Sequence, residues 1–162
     1  MPWGLPAALP WLCAIGLADV RWRIVPDRCV VGLAASAALA ALALGILPSH
    51  IVVGLACLVV GVAAAMLRLW GWGDAKLVGA AGLAAGSHHI GAFLMFTSLA
   101  GFALAAVILF MRPIALKHLR RSPPRWPRWA QVELTRLRRA PTVPYALAIA
   151  AGLAAALASP AA

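Results

Sequence analysis

Acidic residues are nearly missing from this chain. Asp19, Asp27, Asp74 and Glu133 are its only carboxylates in 162 residues, against fourteen Lys and Arg, for a formal net charge of +10. Charged residues of both signs make up only 11% of the sequence, under half of the usual quarter. That excludes a soluble domain with an ordinary polar surface. Cysteine is scarce as well. Cys13, Cys29 and Cys57 stand alone with no C-x-x-C pair, which argues against a zinc site and fits small apolar packing residues. No His-Glu-x-x-His is present for a metal-dependent protease and no Gly-x-Ser-Gly for a serine nucleophile. The alternating pattern of a barrel strand is missing too.

Long apolar runs take the place of charge. The sequence is 64% hydrophobic with a mean hydropathy of +0.94. A hydrocarbon core of about 30 Å takes about 20 helical residues to cross, and in lipid every backbone amide must be paired, so helices are the default. The pattern predicts an all-α polytopic membrane protein, a bundle of about six transmembrane helices near 3–19, 29–47, 51–70, 74–87, 90–111 and 142–159. Residues 1–162 read as a single membrane domain. The first segment has its basic residues after it, at Arg21, Arg23 and Arg28, the reverse of a cleavable signal peptide, so it reads as a retained helix. The fourth is short, because fourteen residues rise only about 21 Å.

The basic residues set an orientation. All fourteen fall in the first, third and fifth loops, nine of them in a stretch at about 112–141. The positive-inside rule then places those loops in the cytoplasm and both termini outside. With Trp126 and Trp129 among its prolines, the basic loop reads as docking on anionic headgroups of the bilayer. The charge is accounted for by sidedness, and no nucleic acid is expected as a partner. Glycines at helix-packing spacing, Gly54 with Gly61 and Gly82 with Gly86, fit a tight bundle. His88 and His89, on the outer side, read as a polar turn rather than metal ligands.

Against that background two carboxylates stand out. Asp19 ends the first segment and Asp74 begins the fourth, so both reach the same cytoplasmic depth from positions far apart in the chain. A carboxylate at a helix centre in lipid costs about 2.5–3.5 kcal/mol on insertion scales. A chain that discards nearly all its acids and keeps two at one depth uses them together, which points to a two-aspartate intramembrane protease. Each acid also has a plainer reading. Asp74 can cap the fourth helix, Asp19 can pair with Arg21 or Arg23, and Asp27 can cap the second helix. Gly71 and Gly73 leave room beside Asp74 for an extended substrate, and Lys76 can snorkel to the headgroups or tune the acid.

The ordered set Asp19-x-Arg21-x-Arg23-x-x-Pro26-Asp27, then Gly71-x-Gly73-Asp74-x-Lys76, then Val143-Pro144-Tyr145-Ala146-Leu147-Ala148 resembles the type IV prepilin peptidase family. These are GxGD-type intramembrane aspartic proteases of bacteria and archaea. The resemblance implies that Asp19 and Asp74 are the catalytic pair, that Pro144 belongs to the motif of the last helix, and that the substrate is a prepilin leader cut at the cytoplasmic face of the inner membrane. Long members add a domain with paired C-x-x-C motifs and also N-methylate the new terminus. This sequence looks like the short form associated with Tad/Flp-type pili, for which methylation is not expected. Short members often carry Asn at the position of Asp27. The chemistry implied is hydrolysis with one carboxylate as base and its protonated partner as acid, with no metal or cofactor. The competing readings are a small ion-coupled transporter and an inactive relative serving as a pilus assembly factor.

Overall fold

The computed structural model describes residues 4–119 and 145–159, and among them there are five helices and no strand. Helix α1 spans Gly4–Trp22, α2 Asp27–Ala43, α3 Leu47–Met66, α4 Trp72–Leu119 and α5 Tyr145–Ala158. The all-helical expectation holds. Two units are distinguishable: one takes in Met1–Gly101 with Pro144–Ala162, the other Phe102–Val143. The described part of the second is the helical stretch 102–119.

Local chemistry explains the boundaries. In α1 the buried residues Ala8, Leu12, Ile15, Ala18 and Asp19 recur at three- and four-residue spacing, which makes one face of a helix. Arg23, at φ 55°, closes α1 while its N–H donates to the Asp19 carbonyl at 2.9 Å. Pro26, extended at φ −69° and ψ 122°, occupies the N-cap of α2, where no amide hydrogen is needed for the ladder. At the far end, Ile46 N–H reaches Ala41 O at 2.9 Å and Gly45 N–H reaches Leu42 O at 3.0 Å, with Gly45 at φ 69°. That paired closure satisfies the last carbonyls of α2. The end of α3 repeats it through Leu69 to Ala64 and Arg68 to Ala65, both at 3.0 Å, although the left-handed residue is Arg68 at φ 59°.

The first unit is built on close approach. Trp11 of α1 lies over Gly32 of α2. A Cβ added at Gly61 of α3 would stand 3.0 Å from the Ala75 Cα of α4, and one at Gly54 would stand 2.9 Å from the Leu83 Cβ. The small-residue spacing seen in the sequence therefore marks a real contact. Ile15, Leu33, Leu77, Phe93, Ile149 and Leu153 are fully buried at the centre.

Six separate spans are not what the chain forms. The segments expected at 74–87 and 90–111 run together as α4. Ser87, His88 and His89 are helical rather than a turn, and the interruption falls at Gly86, with φ 60° and ψ −172°. Polar side chains do not end a helix, whereas a left-handed φ does, and only glycine takes it freely. His50 of α3 fills the notch. Its Nδ1 donates to the Leu83 carbonyl at 2.8 Å, and its ring occupies the space where a side chain at Gly86 would be. His89, expected at a polar turn, is buried and bonds the backbone of Ala156. Helix α4 also continues through Leu119, so residues 112–119, expected in the loop, are helical. Residues 120–144, with most of the basic stretch and Pro144, lie outside the described residues.

Two helices, Leu47–Met66 and the Trp72–Phe110 part of α4, are long and apolar enough to cross a membrane. Only 22% and 11% of their apolar windows are buried inside the protein. The core helix of a soluble domain would be mostly buried, so these outward apolar faces mark a membrane protein.

Candidate active site

Asp19 belongs to the buried stripe of α1 and is only 6% exposed. A carboxylate there must find a donor, and α5 supplies one: Leu147 N–H donates to Asp19 Oδ2 at 3.1 Å. Leu147 is the third residue of α5, and the first turn of a helix has amides with no partner inside the helix and a positive dipole end. The Leu147 side chain sits on Gly16, 3.2 Å from an added Cβ, one turn before Asp19. Glycine at position 16 thus lets α5 approach close enough for the backbone bond. The charge of Arg23 also bears on Asp19, so the ion-pair reading of this acid is partly realised. Arg21 instead lies over the ring of Trp22, 5.3 Å from its centroid.

Asp74 is the third residue of α4 and half-buried. Its Oδ2 accepts the Gly71 N–H at 3.4 Å, while Ala75 N–H donates to Gly71 O at 3.1 Å. Asp74 thus satisfies the amide of Gly71 just before α4, while the Ala75 bond is the first of the helical ladder, and at 3.4 Å the carboxylate is held loosely. Gly73 packs on the loop between α1 and α2, where an added Cβ would stand 3.2 Å from the Val25 Cβ. The start of α4 is thereby brought to the end of α1, and the charge of Asp19 bears on Asp74. Residues 19 and 74 are thus near enough for the charge of one to act on the other.

Asp27 and Lys76 do something else. The N-cap of α2 is Pro26, with no side-chain cap bond, so the capping expected of Asp27 is not made. Asp27 sits in the first turn and pairs with Lys76 across helices, Nζ to Oδ1 at 3.0 Å, with both side chains more than half exposed. Lys76 is therefore engaged with Asp27 rather than with Asp74. Sequence reasoning passed over Trp70 and gave Tyr145 no role beyond its place in the last motif. Their ring centroids are 5.9 Å apart at 41°, next to Gly71 on one side and in the first turn of α5 on the other. The signal was available, since Tyr145 is the one tyrosine in the chain and follows the motif's proline. Among the described residues, no three His, Cys, Asp or Glu side chains gather to hold a metal.

Asp19 and Asp74 thus stand on two separate helices whose ends pack together. The sequence model of the type IV leader peptidase family matches residues 7–110, and the chain belongs to that family. It is thus a peptidase of the kind that removes prepilin leaders. The matched stretch takes in Asp19, Pro26, Asp27, Gly71, Gly73, Asp74 and Lys76, and stops short of Tyr145. No curated protein and no solved structure matches.

Proposed function

We propose that this chain is an intramembrane aspartic endopeptidase that removes the basic leader of a prepilin, of the Flp type, at the cytoplasmic face of the inner membrane. Asp19 and Asp74 are its catalytic pair. The observation that carries the reading is the packing of Gly73 against Val25, which brings the start of α4, with Asp74, to the end of α1, with Asp19. Two carboxylates close together cannot both ionise cheaply, so they share one proton. The ionised member takes a proton from a water lying between them, and that water attacks the scissile carbonyl. The protonated member donates to the carbonyl oxygen, and the roles reverse as the amine leaves. Gly71 and Gly73 keep the approach to Asp74 low, and the leader's positive charges remain on the side of Arg21 and Arg23.

The topology belongs to the same proposal. The chain crosses the bilayer several times with both termini outside, as one domain with its basic stretch in the cytoplasm against anionic headgroups. Supporting this, the 39-residue Trp72–Phe110 part of α4 would rise about 58 Å if straight, nearly twice the hydrocarbon core. The break at Gly86 divides it into two passes.

The deciding experiment incubates purified protein in detergent with a tagged prepilin and follows leader removal. Asp19→Asn and Asp74→Asn should each abolish cleavage while leaving the helical signal intact, because Asn keeps the shape but cannot share the proton. Cleavage by either variant at the parent's rate would remove that residue from the catalytic pair.

A further inference from the structure

We propose that Trp70 and Tyr145 form an aromatic clamp that sets the separation of the Asp19 and Asp74 carboxylates. The proposal rests on reading those two residues as the catalytic pair, and adds two positioning residues to it. Each carboxylate is held by backbone amides, Asp74 by that of Gly71 and Asp19 by those of Leu147 and Ala146 at the start of α5. Gly71 N–H donates to Asp74 at 3.4 Å and Leu147 N–H donates to Asp19 at 3.1 Å. Those donors lie on segments far apart in sequence, the α3–α4 turn and the first turn of α5. Trp70 is bonded directly to Gly71, and Tyr145 shares its helical turn with Leu147. Where the two rings meet, the two donors are tied together, and with them the two acids.

The local structure singles out these rings. Leu67, Leu69 and Trp72 around the turn are 71%, 71% and 61% exposed, whereas Trp70 packs against the core. The left-handed Arg68, at φ 59°, turns the chain so that Trp70 alone points inward. Tyr145 is 36% exposed and also lies beside Gly101 of α4, its Cε1 3.9 Å from an added Cβ. A centroid distance of 5.9 Å and a 41° tilt lie within the range of about 4.5–7 Å for favourable aromatic pairs. The amide held by this contact is the longer of the two, the Gly71 N–H. Loss of either ring frees the α3–α4 turn to shift, and Asp74 moves with it.

Positioning errors of about 1 Å lower turnover by as much as about a hundredfold. The full chain in detergent, with a tagged prepilin as substrate, should therefore show kcat reduced at least about tenfold in Tyr145→Ala, Tyr145→Leu and Trp70→Ala. KM should stay near the parent's and Tyr145→Phe should restore turnover. The double variant Trp70→Ala/Tyr145→Ala should be no worse than the poorer single one, since either change already opens the clamp. A second readout needs no activity. In a background with Cys13, Cys29 and Cys57 replaced by Ser, the pair Asp19→Cys/Asp74→Cys should crosslink through a short reagent, and adding Tyr145→Leu should lower the yield. Parental kcat in Tyr145→Leu, an effect on KM alone, or an unchanged crosslink yield would each overturn the clamp. Should Tyr145→Ala fail to fold, Tyr145→Leu, which fills the volume without a ring, decides the matter. If Asp19→Asn and Asp74→Asn remain active, the catalytic reading fails by itself, and the crosslink still judges the clamp.

Discussion

Among the chain's few carboxylates, surroundings decide what each can do. Asp19 is buried on a backbone amide, Asp74 is half-buried and loosely held, and Asp27 is in solvent with Lys76 at 3.0 Å. An exposed ion pair of that kind contributes about 0–1 kcal/mol. Asp27→Asn should therefore change thermal stability and prepilin cleavage only slightly, within about fivefold for the latter. A dead Asp27→Asn with an active Asp19→Asn, measured side by side, would move the catalytic role to Asp27. The sequence made the matching edge positions of Asp19 and Asp74 legible, and with them the proposal that the two act together. It hid the other partnerships. Lys76 lies two residues from Asp74 and 49 from Asp27, yet the i to i+2 offset points it to the opposite side of α4, where the start of α2 awaits it. Nothing along the chain marks that meeting.

Elements were legible where composition changes and illegible where conformation does. The apolar runs located all five helices, to within a few residues at most ends. The polar Ser87-His88-His89 cluster looked like punctuation but stays helical, while Gly86 breaks α4 through its left-handed φ. The donor that covers the exposed carbonyl comes from His50, 33 residues away. Gly86→Ala should be destabilising on two counts. A side chain at φ 60° costs about 1–2 kcal/mol, and its Cβ collides with the His50 ring. His50→Ala should also destabilise, by about 1–3 kcal/mol, by leaving the Leu83 carbonyl without its buried donor. Thermal unfolding in detergent would measure both, and an unchanged midpoint in Gly86→Ala would mean that α4 tolerates a continuous path through residue 86.

For the whole molecule the testable quantity is sidedness. All fourteen Lys and Arg fall on alternate connections of the six expected segments, an alternation the proposed topology keeps only if the chain crosses the bilayer on both sides of Gly86. In a cysteine-free background, an impermeant thiol reagent applied to intact spheroplasts should label Ser49→Cys and Ala162→Cys and should miss Ser122→Cys. Labelling at 122 from outside would invert the protein and carry Asp19 and Asp74 to the wrong face for a prepilin leader. The bilayer character was legible from composition, because the outward faces of α3 and α4 are as apolar as their buried ones. The packing of α1 against α5 was not, since it depends on a small residue at Gly16 and an amide at Leu147.

That last contact has a bearing on biogenesis. Asp19 and the amide that receives it are 128 residues apart, so during translation α1 enters the membrane long before α5 has been synthesised. Until then Asp19 lacks the backbone donors that α5 supplies. With Asp19 catalytic, as proposed, competence would arrive only with the docking of α5, and the order in which the ribosome delivers the helices would guard a cell against stray cleavage by incomplete copies.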